Sequence, residues 1–271
     1  MRCQHCFTQK IIPQRFCLSS QPFLSMLQRI YAFYAILIFL VMLLIFMPFA
    51  IAVARLNKKQ KGLAVMKMAH VWCDLWLFMI GIRHRRIVEQ EVVKKRAYIY
   101  VSNHNSYMDI PQLLKAVRSP LKGLGKAEVG NIPLFGMIYK AGVVTVDRSC
   151  PEARAKSVKE LKEVLQEGIS IYIAPEGTFN ESNVPLSKFY DGAFRLAIQT
   201  QTPIKPLLFL DAVDRMHWSS LWTLNPGKLR TVYLEEISPE GYTEESLPAL
   251  RQKVYDYMEE KLREYKASWI R

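Results

Sequence analysis

Glycine is sparse, cysteine is scarce and acidic residues are outnumbered, and each shortage closes off a class of protein. Twelve glycines in 271 residues, with no internal repeat and no low-complexity tract, exclude collagen-like, solenoid and linker-dominated chains. Five cysteines are an odd, scattered set, which argues against a disulfide framework. Cys3 and Cys6 form a C-x-x-C around His5, with Cys17 nearby. No second C-x-x-C completes a zinc site and no βαβ context marks a redox pair, so these read as free thiols and no metal is expected. Half the residues are apolar, which excludes global disorder and leaves enough for a full core. Lys and Arg number 37 against 24 acidic residues, a net charge of +13. Such an excess suits anionic surfaces, but no nucleic-acid-binding motif accompanies it, so nucleic acid is not an expected partner.

What the chain has in abundance is one long apolar run. Tyr31 to Ala54 are 24 consecutive residues without a charge, and roughly 20 helical residues at 1.5 Å each cross a hydrocarbon core of about 30 Å. Pro48 near its end could kink such a helix into a half-inserted element. Residues 62–82 form a second apolar stretch interrupted by Lys67, His70 and Asp74. It reads as an amphipathic helix lying in the membrane interface, with Trp72 and Trp76 at head-group depth, or equally as a core helix. The basic residues that follow the long run, Arg55, Lys58, Lys59, Lys61 and Lys67, place the rest of the chain on the cytoplasmic side. The expected division is therefore 1–25 as a mobile tail or upstream extension (Met26 looks like a natural start), 26–82 as membrane-anchoring helices, and 83–271 as an α/β domain.

In that last part short β-rich runs alternate with helical ones. Ile87–Gln90, Tyr98–Val101, Leu121–Leu124, Val143–Val146, Ser170–Ala174, Ile204–Leu210 and Leu229–Leu234 are predicted strands. Asp109–Val117, Leu134–Lys140, Pro151–Glu167, Gly192–Thr200 and Glu244–Trp269 are predicted helices. The alternation predicts an α/β fold with a mixed central sheet flanked by helices.

Polar clusters fall where these strands end. YIYVSNHNSYMD, Tyr98 to Asp109, runs from a strand into a loop that brings His104 and, five residues on, Asp109. An imidazole accepts a proton near neutral pH and does so best when a carboxylate holds its other nitrogen. A helix-capping Asp beside a satisfied histidine would give the same letters. GVVTVDR delivers Arg148, whose planar fork matches a phosphate. IYIAPEGTFN brings Glu176, Gly177 and Thr178, and TPIKPLLFL enters a strand through Pro203.

The order NHNSYMD, GVVTVDR, APEGTFN, TPIKPLL, with the connecting phrases GKAEVGNIPLFG and FYDGAFRLA, resembles the glycerolipid acyltransferases typified by 1-acyl-sn-glycerol-3-phosphate acyltransferase, over roughly residues 80–240. The resemblance implies a membrane-bound O-acyltransferase that needs no cofactor, and the compactness of the chain suits a bacterial inner membrane. Its donor would be acyl-CoA or acyl carrier protein, its acceptor a lysolipid, and membrane lipids its surroundings. It also implies that His104 is the general base, that Asp109 orients it, and that Arg148, Glu176, Gly177, Thr178, Lys126 and Asn103 form the acceptor site. The third block departs from the family, which has Arg after Glu-Gly-Thr where this chain has Phe179. Either Arg148 and Lys188 compensate, or the acceptor is a lysolipid other than lysophosphatidic acid, such as a lysophospholipid or an amino-acid lipid. A thioesterase or a non-catalytic scaffold on the same fold are the remaining readings.

Overall fold

The computed structural model describes residues 22–132, 135–146 and 151–270. The tail carrying Cys3, Cys6 and Cys17 lies outside them. Elements follow in the order α1 (Pro22–Ala54), α2 (Lys58–Met79), β1 (Ile82–Val88), β2 (Ile99–Ser102), α3 (Asp109–Ala116), β3 (Leu121–Lys126), α4 (Phe135–Gly142), β4 (Val143–Val146), α5 (Pro151–Gln166), β5 (Ser170–Ile173), α6 (Gly192–Thr200), β6 (Ile204–Phe209), α7 (Ala212–Arg215), β7 (Gly227–Tyr233) and α8 (Leu247–Glu264). Short 3₁₀ turns at Ala127–Asn131 and Leu221–Thr223 complete the described chain.

The seven strands form one mixed sheet in the order β1-β7-β6-β2-β5-β3-β4. β6 and β7 are antiparallel and every other neighbouring pair is parallel. The central strands β2, β5 and β6 are buried along their whole length, as strands covered on both faces must be, and they read as continuous apolar runs for that reason. Alternation of side chains sorts them between two cores. Ile99, Val101, Ile171, Ile173, Ile204 and Leu208 meet Leu161, Val164, Phe194 and Val254 from α5, α6 and α8 on one face. Tyr98, Tyr100, Tyr172, Leu207, Phe209 and Tyr233 meet Leu77, Leu113, Ala32 and Ala35 from α2, α3 and α1 on the other.

One expectation is corrected and one open choice is narrowed. β1 begins at Ile82, five residues before the predicted Ile87, because Arg83, His84, Arg85 and Arg86 hide a strand at the sheet edge, where charged side chains reach water. Trp72 and Trp76 lie in the seam between α2 and α1. They stack on each other (ring centroids 5.5 Å apart) and meet Phe39 of α1 edge-on, and the Trp76 indole N–H donates to Ala35 O at 3.1 Å. α2 is thus a helix of the folded domain that joins α1 to the sheet, the core reading of residues 62–82. Asn57 caps its start, accepting from Gln60 N at 3.0 Å. Tyr34 and Gln28 tie α1 down further, through Met79 O (3.0 Å) and Thr223 O (2.8 Å).

The outer face of the α1–α2 pair has no cover among the described residues. Phe33, Leu37, Leu44, Ile45 and Phe49 of α1 and Phe78 of α2 are exposed, Phe78 to 82 %. Met26–Val53 and Gln60–Met79 are both long and apolar enough to cross a membrane.

Candidate active site

The site is built on the carboxyl edge of the sheet. β2 ends at Ser102, whose hydroxyl pairs with Tyr172 OH at 2.9 Å. Asn103 continues the strand by other means. Its amide oxygen accepts from Phe209 N (2.8 Å) and its amide nitrogen donates to Phe209 O (3.0 Å), so one side chain replaces a rung of the β-ladder. Because β2 stops bonding its neighbours there, the chain is free to turn, and His104 stands at the turn.

His104 Nδ1 lies 2.7 Å from Asp109 Oδ2. Asp109 opens α3 and is fully buried, while the His104 side chain keeps 21 % of its surface exposed. The same carboxylate oxygen accepts from Asn105 N (3.0 Å) and Ser106 N (3.1 Å). Asp109 does not cap α3, whose N-cap is Met108 with no side-chain cap bond; its carboxylate holds the histidine and the loop before the helix. Burial pushes its carboxyl up from the usual range, and the hydrogen bond from the His104 ring with the two backbone amides pulls the other way. With Nδ1 committed as donor to Asp109, the lone pair of the neutral ring sits on Nε2, which takes no protein partner among the described residues.

Glu176 fixes the backbone of this loop. It is buried, with Oε1 accepting from His104 N at 2.8 Å and Oε2 from Ser187 N at 2.7 Å. Asn180 N in turn donates to His104 O at 2.7 Å. The block carrying Glu176 thus grips the catalytic loop from both sides. Burial raises the Glu176 carboxyl to about 7. A group whose folded pKa lies above its unfolded value adds stability below the unfolded pKa near 4.5 and loses it as pH rises through about 7. Melting temperature should fall over that window more steeply in the native chain than in Glu176→Gln, a difference of a few kcal/mol at most. Parallel slopes in the two proteins would contradict it.

Of the residues expected at the acceptor site, the structure gathers some and separates others. His104, Asp109 and Glu176 come together. Gly177 sits at φ +72 in the turn after β5, its N–H bonded to Ala174 O at 3.1 Å, a conformation that favours glycine. Thr178 and Lys126 are exposed, Lys126 at the end of β3 on the same sheet edge. Asn103 is 1 % exposed, and both polar atoms of its side chain are spent on β6. Arg148 lies outside the described residues.

Ser106 and Asn105 carry no signal in the sequence. Ser106 Oγ reaches Ala212 O (2.9 Å) and Met216 O (2.5 Å), pinning the catalytic loop to α7. The Asn105 side chain is buried with no hydrogen-bond partner among the described residues. The Phe179 ring packs on the His104 ring (centroids 4.5 Å apart) and meets Tyr107 edge-on at 4.9 Å. The glycines of GKAEVGNIPLFG serve close packing. A Cβ on Gly136 would fall 2.2 Å from Gly130 O, and one on Gly125 2.0 Å from Tyr139 Oη.

A buried carboxylate holding a partly exposed imidazole, at the carboxyl edge of a mixed sheet, defines an α/β protein with a His–Asp dyad. The family model named Acyltransferase matches residues 84–210, the stretch that contains His104, Asp109, Glu176 and Phe179. A 1-acyl-sn-glycerol-3-phosphate acyltransferase of Haemophilus influenzae is 27% identical over 190 residues, 69% of this chain and 77% of that protein. A chloroplast protein of the same description from Arabidopsis thaliana is 33% identical over 135 residues, 49% of this chain and 37% of its own length. The chain spans well under half the length of such chloroplast relatives. The crystal structure of a 1-acyl-sn-glycerophosphate acyltransferase from Thermotoga maritima has the same fold, with a TM-score of 0.69 at 23% identity over 91% of this chain and 98% of that one.

Proposed function

We propose that the protein transfers a fatty acyl group from an acyl thioester to the free hydroxyl of a lysolipid, with 1-acyl-sn-glycerol-3-phosphate as acceptor and phosphatidic acid as product. The observation that carries this reading is the 2.7 Å contact between His104 Nδ1 and buried Asp109. In the reaction, His104 Nε2 takes the proton of the acceptor hydroxyl as its oxygen attacks the thioester carbonyl carbon. The C–O bond forms, the C–S bond breaks, and the imidazolium returns its proton to the leaving thiolate. The charge that builds on the ring is matched by Asp109. The step needs no acyl-enzyme, and the family relatives described as 1-acyl-sn-glycerol-3-phosphate acyltransferases support the acceptor class.

A membrane setting follows from the uncovered apolar face of α1 and α2, since a contiguous apolar surface of that size is stable only against lipid or another apolar partner. Either acyl-CoA or acyl carrier protein would serve as donor. The Lys and Arg residues after α1 support a catalytic domain on the cytoplasmic side, in keeping with a bacterial inner membrane.

Phe179 bears on the acceptor. A ring against His104 shields one side of the base from water but offers no donor to a phosphate. Phe179→Arg would supply a forked guanidinium beside the base, a charge-assisted contact on the order of 1.5–3 kcal/mol. KM for lysophosphatidic acid should then fall about tenfold or more relative to KM for a lysolipid without a phosphate monoester. Steady-state kinetics on the two acceptors check this, and equal changes in both KM values would rule out a specificity role for this position.

A further inference from the structure

The sheet edge that carries His104 also carries a cluster of cations to which the dyad gives no task. β1 and β7 are parallel neighbours in a register that sets Arg83 beside Lys228 and Arg85 beside Arg230. These are alternate positions on each strand, so all four side chains leave the same face of the sheet. Arg215 of α7 joins them. Arg85, Asp211, Arg215, Lys228 and Arg230 line an open cavity of about 500 Å³, four cations against one carboxylate.

The cluster is built, not scattered. Asp211 holds Arg230 from three directions, accepting from its backbone N (2.8 Å), its Nε (2.9 Å) and its Nη2 (2.7 Å). Arg215 Nη1 donates to Pro226 O, while its Nε is buried with no partner among the described residues. Gly227, at φ +140, leaves the room this requires, since a Cβ there would fall 2.0 Å from Arg215 Nη1. Arg85 and Lys228 have no ion-pair partner among the described residues. Like charges on neighbouring strands repel, so an arrangement that concentrates cations and leaves them unpaired is stable only when a counter-anion is available.

The cluster's position ties it to the acyl-transfer site. β7 runs antiparallel to β6, so its first residues lie at the edge where β2 and β6 end, two strand spacings or about 10 Å from the catalytic loop. Gln112, one turn along α3 from Asp109, donates to Arg230 O at 2.7 Å. On the other side the turn Leu221–Thr223 exposes Leu221 and Trp222 and receives Gln28 of α1. The cleft therefore opens at the same end of the sheet as His104.

We propose that the Arg85–Arg215–Lys228–Arg230 cleft binds a phosphate group carried by a ligand of the acyl-transfer reaction. That the ligand belongs to this reaction rests on the proposed function; the phosphate chemistry rests on the cleft alone. Arginine forks and an ammonium around one cavity match phosphate oxygens through charge-assisted hydrogen bonds. Two ligands bear that group, the coenzyme A part of a donor and the head group of a lipid.

The test uses the full chain in detergent micelles and reads binding without turnover. One arm measures equilibrium binding of labelled adenosine 3′,5′-bisphosphate, the phosphate-bearing end of coenzyme A. The other measures retention on vesicles of phosphatidic acid in phosphatidylcholine against phosphatidylcholine alone. The native chain is compared with Arg85→Ala/Lys228→Ala, two exposed positions, and with Lys159→Ala/Lys253→Ala, which removes the same charge elsewhere. The cleft variant should weaken one arm by about tenfold or more while the control does not. Loss in the nucleotide arm identifies the donor as the ligand, and loss in the vesicle arm identifies a lipid. Equal binding by all three proteins in both arms would overturn the inference. If binding depends on the cleft but no acyl transfer occurs, the functional reading fails and the phosphate site stands.

Discussion

His104→Ala is expected to lower kcat by about 10²–10⁴-fold, the usual contribution of a positioned general base, while the thermal melt and the binding of acyl-CoA stay near those of the native chain. The reason is local. The ring of His104 presents an unpartnered nitrogen at this loop, whereas its backbone N–H and C=O, held by Glu176 and Asn180, survive the substitution. A hydroxyl is a poor nucleophile until a base shares its proton, so the loss appears in the chemical step and not in affinity. Asp109→Asn should fall in the same direction by about 10²-fold. An amide is neutral, so it cannot match the charge that forms on the ring, and it can present an N–H to Nδ1 and so stabilise the wrong tautomer. Rates at saturating substrate, measured beside circular dichroism, check both variants. A His104→Ala protein that is folded and retains more than a tenth of native kcat would remove His104 from the role of base.

Asn103→Ala is expected to act on the fold and through it on catalysis. Asn103 bonds both the N–H and the C=O of Phe209, and all of these atoms are buried. Alanine leaves two backbone groups of β6 without partners, at about 1–3 kcal/mol each, so stability should drop by about 2–5 kcal/mol. Asn103 immediately precedes His104, so kcat falls as the loop loosens. KM for the acceptor stays within about twofold, because the amide points at β6 and not at substrate. Denaturant unfolding combined with steady-state kinetics separates this from the acceptor-binding role that the motif alone implies. A variant of native stability with a raised acceptor KM would show that the amide contacts substrate.

Much of the fold was legible because its core strands are nearly pure. Ile99–Ser102, Ser170–Ile173 and Ile204–Phe209 are buried on both faces and carry almost no polar residue, which is the pattern a covered parallel strand produces. β1 was legible only in part, because an edge strand tolerates arginine at alternate positions and so loses the apolar run that marks a strand. The tryptophans of α2 left two readings open for a related reason. An aromatic pair four residues apart fits a membrane interface and a helix–helix seam equally, and only Phe39, more than thirty residues earlier, decides between them.

The dyad was visible as spacing, since a histidine at a strand end and a carboxylate at the next helix start meet over one loop. What spacing cannot convey is where a side chain spends its hydrogen bonds. Asn103 and Glu176 sit in the motif blocks, yet both serve backbone groups, and Ser106 reaches residues more than a hundred positions away. Phe179 stood out as a departure from the family's block, and its role beside His104 becomes clear only from the ring contact.

The most direct measurement offers the full chain an acyl-CoA labelled in its acyl group, with and without lysophosphatidic acid, and follows the label. Direct transfer by a general base predicts that label passes to phosphatidic acid only when the acceptor is present, that none is bound covalently to the protein without it, and that His104→Ala forms no product. Label accumulating on the protein, or released as free fatty acid regardless of acceptor, would contradict the account.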